Sequence, residues 1–249
     1  MKKLFYLIAV SAFAISCRKD SSAPVETASM FKKNLIEVTA PGQSEWTMFY
    51  ANDRKLLLFT NNEMSVTYKP GIPFSAKKTA FGSISDYKNA VQDAQGRVTR
   101  IDRYNSGTLI TKQEFKYNAD GYVAEQIITE VSSNKFEKYV YEYQAGNLVT
   151  MTMYVAGVKN ASIMFDYYIN QLNPIKIDLF DFKGIHFVTD EQFGKQSKNL
   201  VKSVKYVSSP GHPAIEINMS YTPDTDGYVK TITYSISSQA PIVYTCSFQ

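Results

Sequence analysis

Three groups of side chains in this 249-residue chain have types and spacing that could do chemistry. In "FKGIHFVTDE", His186 stands near Asp181, Asp190 and Glu191, the residue types of a metal or hydrolase site. No His-x-x-x-His, no Gly-x-Ser-x-Gly and no cysteine partner accompanies them, so a loop histidine is the favoured reading, and likewise for His212. "DTDG", Asp224 to Gly227, has the opening of a calcium loop. Such a loop needs further oxygen ligands and an acidic closer. Only Tyr228, Val229 and Lys230 follow directly, and no Asp or Glu occurs from there to Gln249, so the stretch reads as a turn. The third group is tyrosine: Tyr139, Tyr141 and Tyr143 alternate along "EKYVYEY", with Tyr154, Tyr167 and Tyr168 not far on. A tyrosine ring is flat and apolar with a polar tip, which suits sugar stacking or a partner surface. Cross-strand packing within a sheet is the plainer use of the same residues. The sequence implies no catalytic residue, no metal and no cofactor. Tyr139, Tyr141, Tyr143 and Tyr154 are its candidate ligand-binding residues.

The N-terminus carries an address. Lys2 and Lys3 precede an uncharged run from Leu4 to Ile15, the length of a signal-peptide core and too short to cross a bilayer as a helix. "AISC", Ala14 to Cys17, resembles the site at which bacterial lipoproteins are cleaved and lipidated on cysteine. "AFA", Ala12 to Ala14, offers the rival small-x-small cleavage. The charged "RKDSS" after Cys17 favours lipidation, giving a leader at 1–16 and membrane attachment through Cys17. Cys246 is then an unpaired thiol, expected to be buried as a small hydrophobe. Under the rival cleavage the two cysteines could pair. Two cysteines make neither a disulfide framework nor a Cys-rich metal site.

Loss of Lys2 and Lys3 with the leader takes the formal charge from +4 to +2. That balance argues against nucleic acid and against a polybasic membrane surface. Residues 17–29 are small and polar and read as a flexible tether. Residues 30–249 have the length for a single domain. Eighteen Tyr and fifteen Phe against one Trp favour strands.

The elements that must position these residues are hairpins. "DAQGRV" at Asp93, "NADGYV" at Asn118 and "DTDGYV" at Asp224 share an Asp or Asn three places before a glycine, and "QAGNLV" at Gln144 is a looser relative. The Asx side chain holds the first position of a type I turn, and the glycine supplies positive φ at the last. Gly96, Gly121 and Gly146 stand 25 residues apart, which is one hairpin and its return. Short β-rich runs between turn residues predict an all-β antiparallel meander, with fifteen strands placed between residues 34 and 248. Residues 70–92 read as a loop with one strand. Thr189 to Lys198 predicts a helical turn or two, limited by Gly194. Both faces of the strands are mixed: Tyr139, Tyr141 and Tyr143 oppose Lys138, Val140 and Glu142, and Met151 and Met153 oppose Thr150, Thr152 and Tyr154. Such faces suit a long curved sheet, partly wet on one side, or a barrel with a polar lumen.

These features resemble a group of Bacteroidota envelope lipoproteins of unknown function with a porin-like β fold. The resemblance rests on the start that ends at Cys17, on the repeated Gly-aromatic-Val hairpins such as "DTDGYVKTITY", and on "GKQSKNLVKSVKY", Gly194 to Tyr206. It implies a porin-like barrel or curved sheet at the outer membrane, and it transfers no catalytic residues. The expected role is non-enzymatic: binding, with a glycan or protein partner, or structural support. Two alternatives remain: a glycan hydrolase, or a carrier of apolar small molecules in the curved sheet.

Overall fold

The repeated turns set the topology. The computed structural model describes residues 32–43, 45–51, 55–61, 63–69, 74–80, 82–175, 190–208, 213–237 and 239–249. The leader, Cys17, the tether, Asp181, His186 and His212 lie outside the described residues. The strands are β1 (Leu35–Thr39), β2 (Trp46–Tyr50), β3 (Leu56–Thr60), β4 (Met64–Lys69), β5 (Ser75–Ala80), β6 (Ser83–Gln92), β7 (Val98–Asn105) and β8 (Thr108–Tyr117). They continue as β9 (Val123–Glu130), β10 (Phe136–Gln144), β11 (Asn147–Val155), β12 (Val158–Leu172), β13 (Asn199–Ser208), β14 (Ile215–Pro223), β15 (Val229–Ile236) and β16 (Ile242–Phe248). One four-residue helix, α1 (Asp190–Phe193), precedes β13. Each strand pairs antiparallel with its sequence neighbours, and β1 pairs with β16 to close the ring. The expected all-β meander is thus a closed, porin-like 16-stranded barrel.

The glycine turns work as the sequence predicts. Asp93, Asn118 and Asp224 each accept two backbone N–H groups on Oδ1, from the residues two and four places on. Gly96, Gly121 and Gly227 then sit at φ +81, +89 and +85. These oxygens serve the turn, and Asp226 pairs with Lys33 at 2.6 Å. The looser relative differs: Ala145-Gly146 is a two-residue turn with both φ values positive, the twist a right-handed hairpin needs. A 25-residue step therefore spans one strand out and one back, so all these turns fall at the same end of the barrel. The start of β1 and the C-terminal residue lie there too: Asn34 N–H donates to the Gln249 carbonyl at 2.7 Å and Gln249 N–H donates back at 2.9 Å. Tyrosines staple this end. Tyr117, Tyr167 and Tyr221 donate their hydroxyls to the carbonyls of Val98, Leu148 and Val201 at 2.7, 2.7 and 2.8 Å.

Two strand expectations need correction. Residues 75–92 form β5 and β6, where one strand was expected. β5 reads "SAKKTA", poor in β-formers, and is held by its pairing with Tyr68 and Tyr87 across Ala76. The strand expected at 174–180 falls largely outside the described residues. Before it, β12 runs for fifteen residues.

Most of the charge lies on the outer face, although Lys78, Arg103 and Glu137 lie inside. Every strand adds at least one buried apolar side chain to a single inward cluster, including Phe59, Val98, Ile101 and Val123 with no exposure at all. A round ring of this strand number leaves an aqueous channel. Here the middle of the lumen is packed, so the expectation of a polar lumen holds only for part of its wall, described below. The outer face carries Lys77, Lys112, Glu114, Lys138, Glu142, Asp166 and Lys205 along the strands. Glu125 bridges Lys116 and Lys138 across three strands. Hydrogen bonds from those two ammonium groups hold its carboxyl below the usual range. Exposed apolar side chains, Met164 and Val243 among them, stand between these charges.

Candidate functional site

The two ends of the lumen differ. At the end beside Asn34 and Gln249, residues 190–198 ahead of β13 fold inward. Phe193 is fully buried and meets Phe74 and Phe115 edge to face, with ring centroids 5.4 and 5.3 Å apart. Gly194 follows at φ +76, and a Cβ there would lie 2.7 Å from the Gly121 carbonyl and 2.9 Å from the Tyr117 ring. Only glycine fits so close an approach. Lys195 N–H then bonds Gly121 O, Lys198 N–H bonds Gly146 O, and Ser197 Oγ takes the Leu148 N–H. The segment is stitched to two hairpin tips and plugs this end.

At the other end most inward side chains are half-buried, Ser85 is buried, and together they outline a cup. Register gives its walls. On β10 to β13 stand Tyr139, Met153, Ile163 and Tyr206. On β14 to β16 and β2 stand Ile217, Tyr234, Tyr244 and Trp46. Trp46 lies 6.1 Å from Tyr244 and 6.3 Å from Phe59, centroid to centroid. On β5 to β8 the wall is polar: Lys78, Ser85, Arg103 and Thr111. The floor is a hydrogen-bonded chain. Tyr141 donates to Gln126 Oε1 at 2.7 Å, and Gln126 Nε2 donates to Gln113 Oε1 at 3.4 Å. Both glutamines are buried. From Glu137 at the rim to Tyr141 on the floor is four residues, a depth of about 13 Å at the strand rise.

The candidate tyrosines separate. Tyr139 lines the cup and donates its hydroxyl to Glu137 at 2.7 Å. Burial, with that carboxylate beside it, pushes its phenol above the ordinary range. Tyr141 is part of the floor, buried through its bond to Gln126. Tyr143 is at the plugged end, stacked on Tyr122 at 4.5 Å. Tyr154 pairs with Lys138 on the outer face. The four therefore make no single surface. Tyr167 and Tyr168 belong to the plugged half, where Tyr167 bonds Leu148 and Ser197, and Tyr168 packs edge to face on Tyr221. Cys246 faces the lumen as a buried free thiol, pushed up to about 12 by burial.

Sequence reading missed Trp46, Arg103, Thr111 and Tyr206. The signal was present for Arg103, which shares strand parity with Ile101, a fully buried residue. The plug was missed because nothing local marks a short helix as pointing into a lumen.

A family model described as "Uncharacterised protein" matches residues 66–172, from β4 to β12. No curated protein matches. Among solved structures, a porin-like protein from Bacteroides uniformis superposes with a TM-score of 0.65 at 13% identity, covering 88% of this chain and 98% of the other. A porin-like protein from Bacteroides vulgatus superposes at 0.58 and 12% identity, covering 86% and 98%. The class is therefore a porin-like antiparallel β-barrel. At these identities the likeness is one of fold.

Proposed function

We propose that the protein is a non-enzymatic binding protein of the cell envelope. In this reading it is held by lipid on Cys17, and its barrel is a one-ended cup rather than a pore. The observation that carries it is the contrast of the two ends: Phe193 and its neighbours fill the end beside Asn34 and Gln249, while half-buried aromatic side chains line the other. The described chain starts beside Gln249 at the plugged end, so a tether from Cys17 leaves from there and the cup faces away from the anchor. The charged outer face supports a barrel standing in water. Met153, Ile163 and Ile217 among the tyrosines favour small apolar or aromatic ligands over a glycan chain, which brings in the carrier reading as a form of the same role.

Two measurements test this. Intact mass of the membrane-extracted protein is expected to show acylation at Cys17, and a mature N-terminus at Ile15 without acyl mass overturns the anchor. The full chain added to planar bilayers is expected to give no conductance steps, and discrete steps overturn the closed cup.

A further inference from the structure

Resting on the cup reading, we propose that the ligand is a small amphiphilic anion. Its ring or chain lies on the Trp46, Tyr234 and Tyr244 wall, and its carboxylate or sulfonate is held by Arg103. Arg103 points into the lumen from β7, opposite Tyr87 on one neighbouring strand and Thr111 on the other. Its Nε–H is buried with no acceptor, and the Thr111 hydroxyl beside it is buried with no partner. Nη2 reaches Ser85 Oγ at a long 3.3 Å, and the guanidinium carbon stands 6.0 Å from the Tyr87 ring centroid. Two adjacent buried polar groups without partners are costly unless something arrives to satisfy them.

A guanidinium fork matches a two-oxygen anion, and the neighbouring hydroxyl supplies a further donor. Among the described residues no carboxylate lies at ion-pair distance from Arg103. Asp102 is on the outer face, where Asn89 holds its Oδ2 at 3.1 Å, and Glu137 takes the Tyr139 hydroxyl. Lys78, cross-strand partner of Ser85, adds positive charge to the same wall. The opposite wall completes the ligand's description. In the ring of sixteen, β15 with Tyr234 is eight strands from β7, half a circuit away, and is flanked by β16 with Tyr244. A cationic wall facing an aromatic one selects a molecule charged at one end and flat or apolar at the other.

The single tryptophan of the chain, Trp46, sits in the aromatic wall and reports occupancy directly. Unlipidated chain starting at residue 17 with Cys17→Ser is titrated with two matched probes. One is 8-anilinonaphthalene-1-sulfonate, and the other is neutral N-phenyl-1-naphthylamine. Binding is read by energy transfer from Trp46. The sulfonate is expected to bind at least about tenfold tighter. Arg103→Met should remove that preference and leave the neutral probe within about twofold, with the cooperative melt retained; Thr111→Val should weaken the sulfonate alone, by about threefold. Both variants are read, so a fold lost in one leaves the other to decide. Equal affinities with Trp46 transfer, or a preference untouched by both variants, overturn the anion and keep the cup. No transfer from Trp46 to either probe overturns the cup itself.

Discussion

The plugged end and the cup are built from the same sixteen strands, yet the inward side chains are buried at one and mostly half-buried at the other. The strands alone do not decide this. At the cup end Ser106-Gly107 and Ala156-Gly157 are two-residue turns that leave nothing to fold inward. At the plugged end the residues just ahead of β13 put Phe193 between Phe74 and Phe115 and tie themselves to two hairpin tips. A barrel can therefore acquire a bottom through one insertion, with every other strand pair unchanged.

The largest test of that contrast is Phe193→Ala. Removing a fully buried aromatic that bridges two others should cost about 3–5 kcal/mol in denaturant unfolding. Tyr206→Ala, at the half-exposed rim, should cost about 1 kcal/mol. Equal losses would mean that the ends are equally well packed.

Alkaline titration sharpens the comparison next. Burial pushes the Tyr167 phenol up to about 12, and burial likewise raises Tyr117 and Tyr221. A folded pKa above the unfolded value means stability is fully present below pH 10 and is lost as pH rises through the folded value. For Tyr167 alone this is on the order of 2–3 kcal/mol. Tyrosinate absorbance from the plugged end should therefore appear together with the loss of tertiary circular dichroism, and early, non-cooperative ionisation of all tyrosines would break the distinction.

The smallest effect is expected at the turns. Gly121→Ala should destabilise by about 1 kcal/mol from strain at positive φ. Gly121 also lies under Arg97 and Lys195, with a Cβ 3.5 and 3.7 Å from their side chains, whereas a Cβ on Gly107 at the cup end would meet nothing within 4 Å. Gly107→Ala should cost the backbone strain alone, and a larger loss there than at Gly121 would contradict the stitched plug.

The turns were the legible part of the sequence, because Asx-x-x-Gly is a local rule that needs no partner. Strand existence followed where β-formers were dense and failed at β5, whose Lys77 and Lys78 and small residues gain their conformation from Tyr68 and Tyr87 on either side. The candidate site was less legible. Period-two alternation separates Tyr139, Tyr141 and Tyr143 from Lys138, Val140 and Glu142, but depth along the strand decides whether a tyrosine lines a cup, supports its floor or joins a plug. Tyr154 lies outside because register sets it against Lys138, a fact held between two strands and not within either. Arg103 and Trp46 share the lumen only because the sheet curls, five strands apart in the ring, which no short motif encodes.

That closure has a consequence for how the chain is made. Every strand pair but one joins sequence neighbours, and the exception brings Glu37 within hydrogen-bond distance, 3.1 Å, of Ser247, 210 residues away. A chain emerging N-terminus first can zip hairpin after hairpin at little loop-closure cost. Throughout that time β1 remains an open edge, a template for pairing with another molecule. Only the last strand to be synthesised removes it. β16 is thus a latch: a chain cut short before Ile242 would keep fifteen good strands and two sticky margins, and its fate would be set by whichever neighbour reached them first.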